Sequence, residues 1–464
     1  MIPRKYASIH KQARPEAETW AKFFVLLSIV CWSLTPVIGL KNAIIILALA
    51  GFFLAVIGLR KPSLGLIGIS VLCTLDPMTR ALLLTGGLFR WNTLNYWLLL
   101  VIVFSFSLLV RLNNPQIRLL TLFLIIMGIG LLVSQSFEYG LQHMLAILIT
   151  FGILAYFIRA IRDPGAWYWS AVVCGWVAGL GGFVYFTQPS STYINPNAWS
   201  FFPLTAIISA CLAVHLISDQ KRKLFSLYIL IAVNVVWVFL SGSRGDLIIS
   251  FVCIVVLLIA SKSVSTRVLF LFVGVLAVFI ISNEFDILRQ NALKRIIRTF
   301  DSNYSILNRT SGRSDLIIGG WNIFLENPMG VGTGGFAPAW AEFGSMNGEI
   351  SFRLGSEFQA HSGWIKVMAE NGIPGILLFG GFVLSFVITG WRKKSFPTIG
   401  LLVTSCLTVA LMTTEFQGKG LWYLAAGGIV LINKQSISDH LANWEQTPRN
   451  LGRSLRYEKF DKHG

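Results

Sequence analysis

Charged residues are the scarcest class in this sequence. Asp, Glu, Lys and Arg make up 13% of it, about half the ~25% of a soluble globular chain. A soluble protein of 464 residues could not clothe its cores with so little polar material, so a string of water-exposed domains is excluded. Few charges of either sign fall inside the apolar runs. That argues against an ion-coupled transporter, which needs ionisable groups near the bilayer midplane. The six cysteines (Cys31, Cys73, Cys174, Cys211, Cys253, Cys406) stand in apolar stretches without CxxC spacing, so neither a disulfide framework nor a structural zinc site is indicated. HExxH, GxSxG and a DxD-like carboxylate pair that could hold a metal–nucleotide sugar are missing, and no metal site is expected.

What the chain does have is apolar length and positive charge. Apolar residues reach 55%, mean hydropathy is +0.68, and 38 bases against 21 acids give a net charge of +17. A nucleic-acid partner is excluded because too few polar residues surround the basic ones. A polytopic membrane protein fits both facts, since Lys and Arg hold loops on the cytosolic side. Fourteen apolar runs, at 22–38, 42–59, 64–75, 94–110, 119–133, 141–157, 167–186, 199–217, 224–240, 247–260, 268–281, 373–391, 398–412 and 421–432, approach the ~20 residues a spanning helix needs. The run 64–75, with 81–89 beside it, is short enough to dip rather than cross, so the expected fold is all-α with about 12–14 membrane helices.

With the N-terminus inside, twenty-five of the thirty-eight basic residues fall on the cytosolic side. Of the rest, eight lie in one long loop, and short outer loops keep only Lys41, Arg80, Arg90, Arg244 and Lys419. Both termini are therefore expected inside, and the N-terminus shows no cleavable signal pattern. The chain divides into a cytosolic tail 1–21, membrane helices 22–281, a large outer loop 282–372, further membrane helices 373–432 and a basic cytosolic tail 433–464. Loops this long are functional or disordered, and its Gly, Trp and Phe content favours function. Within it, 285–300 places Phe285, Leu288, Ala292, Ile296 and Phe300 on one helical face, with Lys294, Arg295 and Arg298 largely on the other. This is the pattern of a helix lying on the bilayer.

Three residues could carry chemistry. His361, in SEFQAHSGWIKVMAENGIPG, precedes a short helix that Gly372 would cap in the left-handed conformation before Pro374 opens the next span. Its imidazole could accept a hydroxyl proton, or could be a solvated interfacial histidine. Arg244 stands in the tight turn LSGSRGDLI between two spans; a snorkelling arginine is the plain alternative. Arg313 precedes a helix expected at 314–325. An arginine beside free helical N–H groups suits phosphate, although a solvated loop arginine is the simpler account. The Gly-rich run that follows, Asn327 to Phe336, lacks the P-loop lysine and follows no strand.

Together these motifs acquire a meaning none has alone. His361-Ser362, nine residues, then Gly372-Ile373-Pro374-Gly375 resembles the H-[S/N/Q]-x9-G-x-x-G pattern of the O-antigen ligase and O-antigen polymerase superfamily. The Ser243–Gly245 turn resembles that family's arginine turn. The series Arg313, Trp321, Pro328, Gly332, Gly334, Phe336 is similar to the first half of its large periplasmic loop, and Asn195-Pro196-Asn197 to a further Asn-bearing motif. The resemblance implies a polytopic glycosyltransferase whose donor is a glycan on undecaprenyl diphosphate. Its acceptor would be lipid A–core, a growing glycan or a protein, and its partners otherwise only membrane lipids. It implies His361, Arg244 and Arg313 as catalytic residues and Asn197, Ser243, Ser362 and Gly332 as substrate-lining ones, with no metal or other cofactor. It also implies a periplasmic active face in a bacterial inner membrane and about a dozen spans, two fewer than the apolar runs. An exporter of polysaccharide or lipid-linked glycan, without catalysis, is the reading from a different class.

Overall fold

The computed structural model describes residues 4–58, 60–83, 115–134, 164–187, 196–216, 221–260, 313–346, 360, 362–392, 397–413 and 424–429, with a few isolated positions beside them. Regular structure among these residues is entirely helical. It comprises α1 Arg4–Ser33, α2 Thr35–Ile38, α3 Leu40–Ile57, α4 Pro62–Leu83, α5 Pro115–Leu132, α6 Pro164–Thr187, α7 Pro196–Leu216, α8 Lys221–Ser241, α9 Arg244–Ala260, α10 Arg313–Glu326, α11 Phe336–Met346, α12 Gly363–Arg392 and α13 Pro397–Thr413. Five of the helices are long and apolar enough to cross a membrane. The fold is an all-α polytopic membrane bundle.

Proline sets many of the starts. α4, α5, α6, α7 and α13 each begin on one, where its fixed φ suits the first turn and its missing N–H costs nothing. The apolar runs therefore begin a few residues inside the true helices. Two expectations need correction. The run 22–38 is not one helix: α1 starts far upstream at Arg4 and stops at Ser33, because Pro36 cannot continue a helix it would interrupt. Pro36 instead lies in the first turn of α2, which ends at Gly39 with φ +81. The run 64–75 extends through Leu83 as α4. Its residues 64–75 are all buried, so its apolarity serves packing within protein. The runs 94–110 and 268–281 and the amphipathic stretch 285–300, with most of 141–157 and 421–432, lie outside the described residues.

Small residues bring these helices close. A side chain on Gly68 of α4 would collide with the Gly51 carbonyl and the Ala55 nitrogen of α3, the intimate crossing that membrane helices use in place of hydrophobic drive. Gly175 and Gly182 of α6 accept Leu230 and Trp237 of α8 in the same way.

The contacts also fix which helix ends lie together. Phe386 of α12 lies against Gly400 of α13 and Gly428, while Gly427 meets Leu212 of α7 and Trp167 of α6. From that level α12 leads back to Gly372, α7 to Pro196, and α9, through the Cys253–Cys406 contact with α13 (Sγ–Sγ 3.4 Å), to Arg244. The starts of α7 and α9 and the bend of α12 thus occupy one end of the bundle.

That bend is sharp. Gly372 (φ +57, ψ −151) interrupts α12, and the two segments fold against each other. Val367 lies beside the Gly375 Cα, and the Trp364 ring packs on Phe379 at 5.4 Å between centroids. The short segment before Gly372 is therefore a re-entrant helix alongside the span that follows. The expected positive-φ glycine and the proline just after it are in place, although ψ of Gly372 is extended rather than left-handed helical.

Candidate active site

Three local structures lie toward this end. The first is the turn between α8 and α9. Gly242 (φ +68) donates its N–H to the Phe239 carbonyl, closing α8. Ser243 then caps α9: its carbonyl accepts from Leu247 N–H at 3.1 Å, and its hydroxyl donates to Asp246 Oδ2 at 2.8 Å. The same carboxylate oxygen accepts a hydrogen bond from the Ser200 hydroxyl of α7. Arg244 is the first residue of α9 and is half-buried. Asn197 lies three residues upstream of Ser200, in the first turn of α7. Asp246 thus ties the Asn-bearing helix start to the arginine turn. A carboxylate is well placed there, since it complements the positive end of the helix dipole.

Asp246 is 3% exposed, and removing a buried acceptor leaves its donors unsatisfied at ~1–3 kcal/mol. Asp246→Ala is therefore expected to lower the melting temperature of the purified protein markedly. Ser243→Ala, which deletes one hydrogen bond of about 0.5–1.5 kcal/mol, is expected to lower it less. Equal effects in a thermal melt would show that the carboxylate does not join the two helices.

The second structure is the Gly-rich run after α10. At the bend of α12, the Ile373 N–H leaves its helical acceptor, and Pro374 has no N–H to give. The carbonyls of Ala369 and Glu370 are therefore orphaned. The loop fills both positions: Val331 N–H donates to the Ala369 carbonyl at 3.0 Å and Gly332 N–H to the Glu370 carbonyl at 2.9 Å, while Ile373 N–H reaches the Pro328 carbonyl at 2.8 Å. Thr333 completes the seal on α5, its N–H to the Gly130 carbonyl at 3.1 Å and its hydroxyl to the Met127 carbonyl at 2.7 Å. Gly330, Gly332 and Gly334 have φ of +90, +92 and +85. A Cβ on Gly332 would press on the Gly130 carbonyl at 2.6 Å. This run reads in the sequence as a weak phosphate-loop pattern. In the fold, its glycines let the chain pair edge-on with the broken helix.

The third structure is the start of α12. Ser362 is buried and caps the helix: its carbonyl accepts from Lys366 N–H at 3.0 Å, and its hydroxyl lies 3.5 Å from the Ile365 nitrogen. His361 lies outside the described residues. Arg313 opens α10, as its position before 314–325 predicts, and both it and Asn197 are placed through their backbone. Beside these the sequence reading missed Lys366 and Glu370, one helical turn apart on the re-entrant segment and 4% and 2% exposed. With Asp246 they are the charged side chains buried among the described residues. Their i, i+4 spacing between His361 and Gly372 was the available signal. It is masked by the low overall charge, because two ionic residues in an apolar helix barely change its hydropathy. Asn371, next to them, accepts from the Thr333 hydroxyl at 3.3 Å, while its buried Nδ2 has no hydrogen-bond partner.

Residues 226–380 match the family model described as O-antigen ligase, which bears out the superfamily resemblance drawn from the motifs. The matched segment takes in the arginine turn, α10, the Gly-rich run and the re-entrant segment with His361 and Ser362, and leaves Asn197 outside. No curated protein matches the chain.

Proposed function

With the O-antigen ligase match across residues 226–380 as the premise, we propose that this protein transfers or polymerises a glycan from undecaprenyl diphosphate onto an acceptor hydroxyl at the periplasmic face of the inner membrane. The observation that carries the reading is that this one segment contains, in order, the arginine turn, the α10 arginine and the histidine motif. The acceptor oxygen attacks the anomeric carbon, the bond to the diphosphate oxygen breaks, and undecaprenyl diphosphate departs. A diphosphate is already a competent leaving group, so the protein has three tasks: neutralise its growing negative charge, align the acceptor, and take the acceptor proton. Arg244 and Arg313 serve the first, through the charge-assisted arginine–phosphate bonds that are the strong class. His361 serves the third as general base. Asn197, Ser243, Ser362 and Gly332 line or shape the site, and no metal is required.

The test is a surface-glycan ladder from a deletion strain. A lost polymerase leaves single repeats attached to the acceptor, and a lost ligase leaves none attached. A lost protein oligosaccharyltransferase leaves lipopolysaccharide normal and the protein unglycosylated. Lipid-linked glycan trapped on the cytosolic leaflet would instead identify an exporter and end the transferase reading.

A further inference from the structure

The helix α10 belongs to the segment that sequence places outside the membrane, yet its surroundings are those of a span. One face, Leu316, Gly319, Gly320 and Ile323, is buried. Gly319 abuts Trp340 of α11, and Gly320 abuts Ile365 of the re-entrant segment and Phe336. The opposite face carries Ile317, Ile318, Trp321 and Leu325, with Met329 continuing the line one turn later. Ile318 and Leu325 are each 57% exposed, as much as Leu384 in the α12 span at 57%, and Met329 reaches 71% against 68% for Leu377. An apolar row of this length open to water would be costly.

Depth can be read from the contacts. The span after Gly372 runs from Ile373 to Arg392; twenty residues make about 30 Å, the thickness of the hydrocarbon core. The re-entrant segment lies alongside its first turns, through Trp364 on Phe379. α10 lies alongside the re-entrant segment, through Gly320 and Ile365. Its far end is pinned to the top of the span by the hydrogen bond from Ile373 N–H to the Pro328 carbonyl. The exposed row of α10 is thus continuous, through Met329 and Ile373, with the exposed row Leu377, Leu384 and Ile388 of α12. At fourteen residues, about 21 Å, α10 is too short to cross.

We infer that α10 dips into the bilayer beside α12 and that its Ile317–Trp321–Leu325 face contacts lipid hydrocarbon. Backbone of this kind is tolerated at membrane depth when its other side is buried in protein, as the Gly319–Gly320 face is.

The test uses the full-length protein in lipid bilayers with single nitroxide labels at Trp321→Cys and Leu325→Cys. Leu377→Cys serves as the lipid-facing reference and Lys61→Cys, exposed in the turn between α3 and α4, as the aqueous one. The six native cysteines are buried and stay in place. The ratio of oxygen to water-soluble nickel accessibility at 321 and 325 is expected to match that at 377 and to exceed that at 61 several-fold. A ratio like that at 61 would place the face in water. Low accessibility to both reagents would mean that protein covers it, from this chain or a second copy. Either result overturns the inference, and neither depends on whether the protein transfers glycan.

Discussion

His361→Ala is expected to lose nearly all glycan transfer while leaving insertion and expression unchanged. A positioned general base contributes about 10²–10⁴-fold, so the loss should fall in that range and in kcat rather than KM, because the proton moves only in the transition state. Arg244→Ala is expected to lose activity comparably, and Arg244→Lys to recover only part of it, since an ammonium keeps the charge but not the bidentate fork. The two positions differ in their pH response. A base must be neutral to act, so wild-type activity should show an acid limb as the imidazole protonates. That acid limb should persist in Arg244→Ala and vanish from the residual activity of His361→Ala. Normal surface glycan from both variants would refute the assignment.

The largest expected effect on stability lies at Gly372. A side chain there would meet the Pro328 carbonyl and the Met329 backbone, and φ is +57. The dihedral alone costs a non-glycine residue ~1–3 kcal/mol, and forcing backbone apart in a packed site adds about 1–3 kcal/mol. Gly372→Ala should therefore lower the melting temperature of the detergent-solubilised protein far more than an ordinary substitution. Gly39 supplies the control: its φ is +81, but a Cβ there has nothing within 4 Å. Gly39→Ala then pays for the dihedral only. Equal losses at the two positions would mean that the loop does not grip the bend.

How much of this was visible in the sequence depends on the kind of signal each element carries. Gly372 followed by Pro374 announces a cap and a restart, because each residue acts through its own backbone, and the structure places the bend there. The helix expected at 314–325 forms at Arg313–Glu326 for the same reason: apolar spacing and a glycine-rich stop are local. The superfamily likeness was legible because its motifs are short and ordered. What stayed hidden was relational. Nothing in the run 22–38 shows that the helix begins at Arg4, since α1 opens on the largely polar stretch RKYASIHKQARPEAE. Nothing in the Gly-rich run shows that its N–H groups complete a broken helix some forty residues later. The bridge of Asp246 to Ser200 joins α9 to α7, and its partner cannot be read from either neighbourhood.

The pairing of residues 328–333 with 369–373 and with the end of α5 also sets an order of assembly. Its three parts lie far apart in the chain. Contacts of such high sequence separation form late, and chains are made and fold from the N-terminal end. The end of α5 must therefore wait, with its Gly130 carbonyl unclaimed by Thr333, through the synthesis of some two hundred further residues. The reactive end of the bundle closes only after residue 373 is made, so a nascent chain halted before Gly363 would hold its arginine turn but no re-entrant segment.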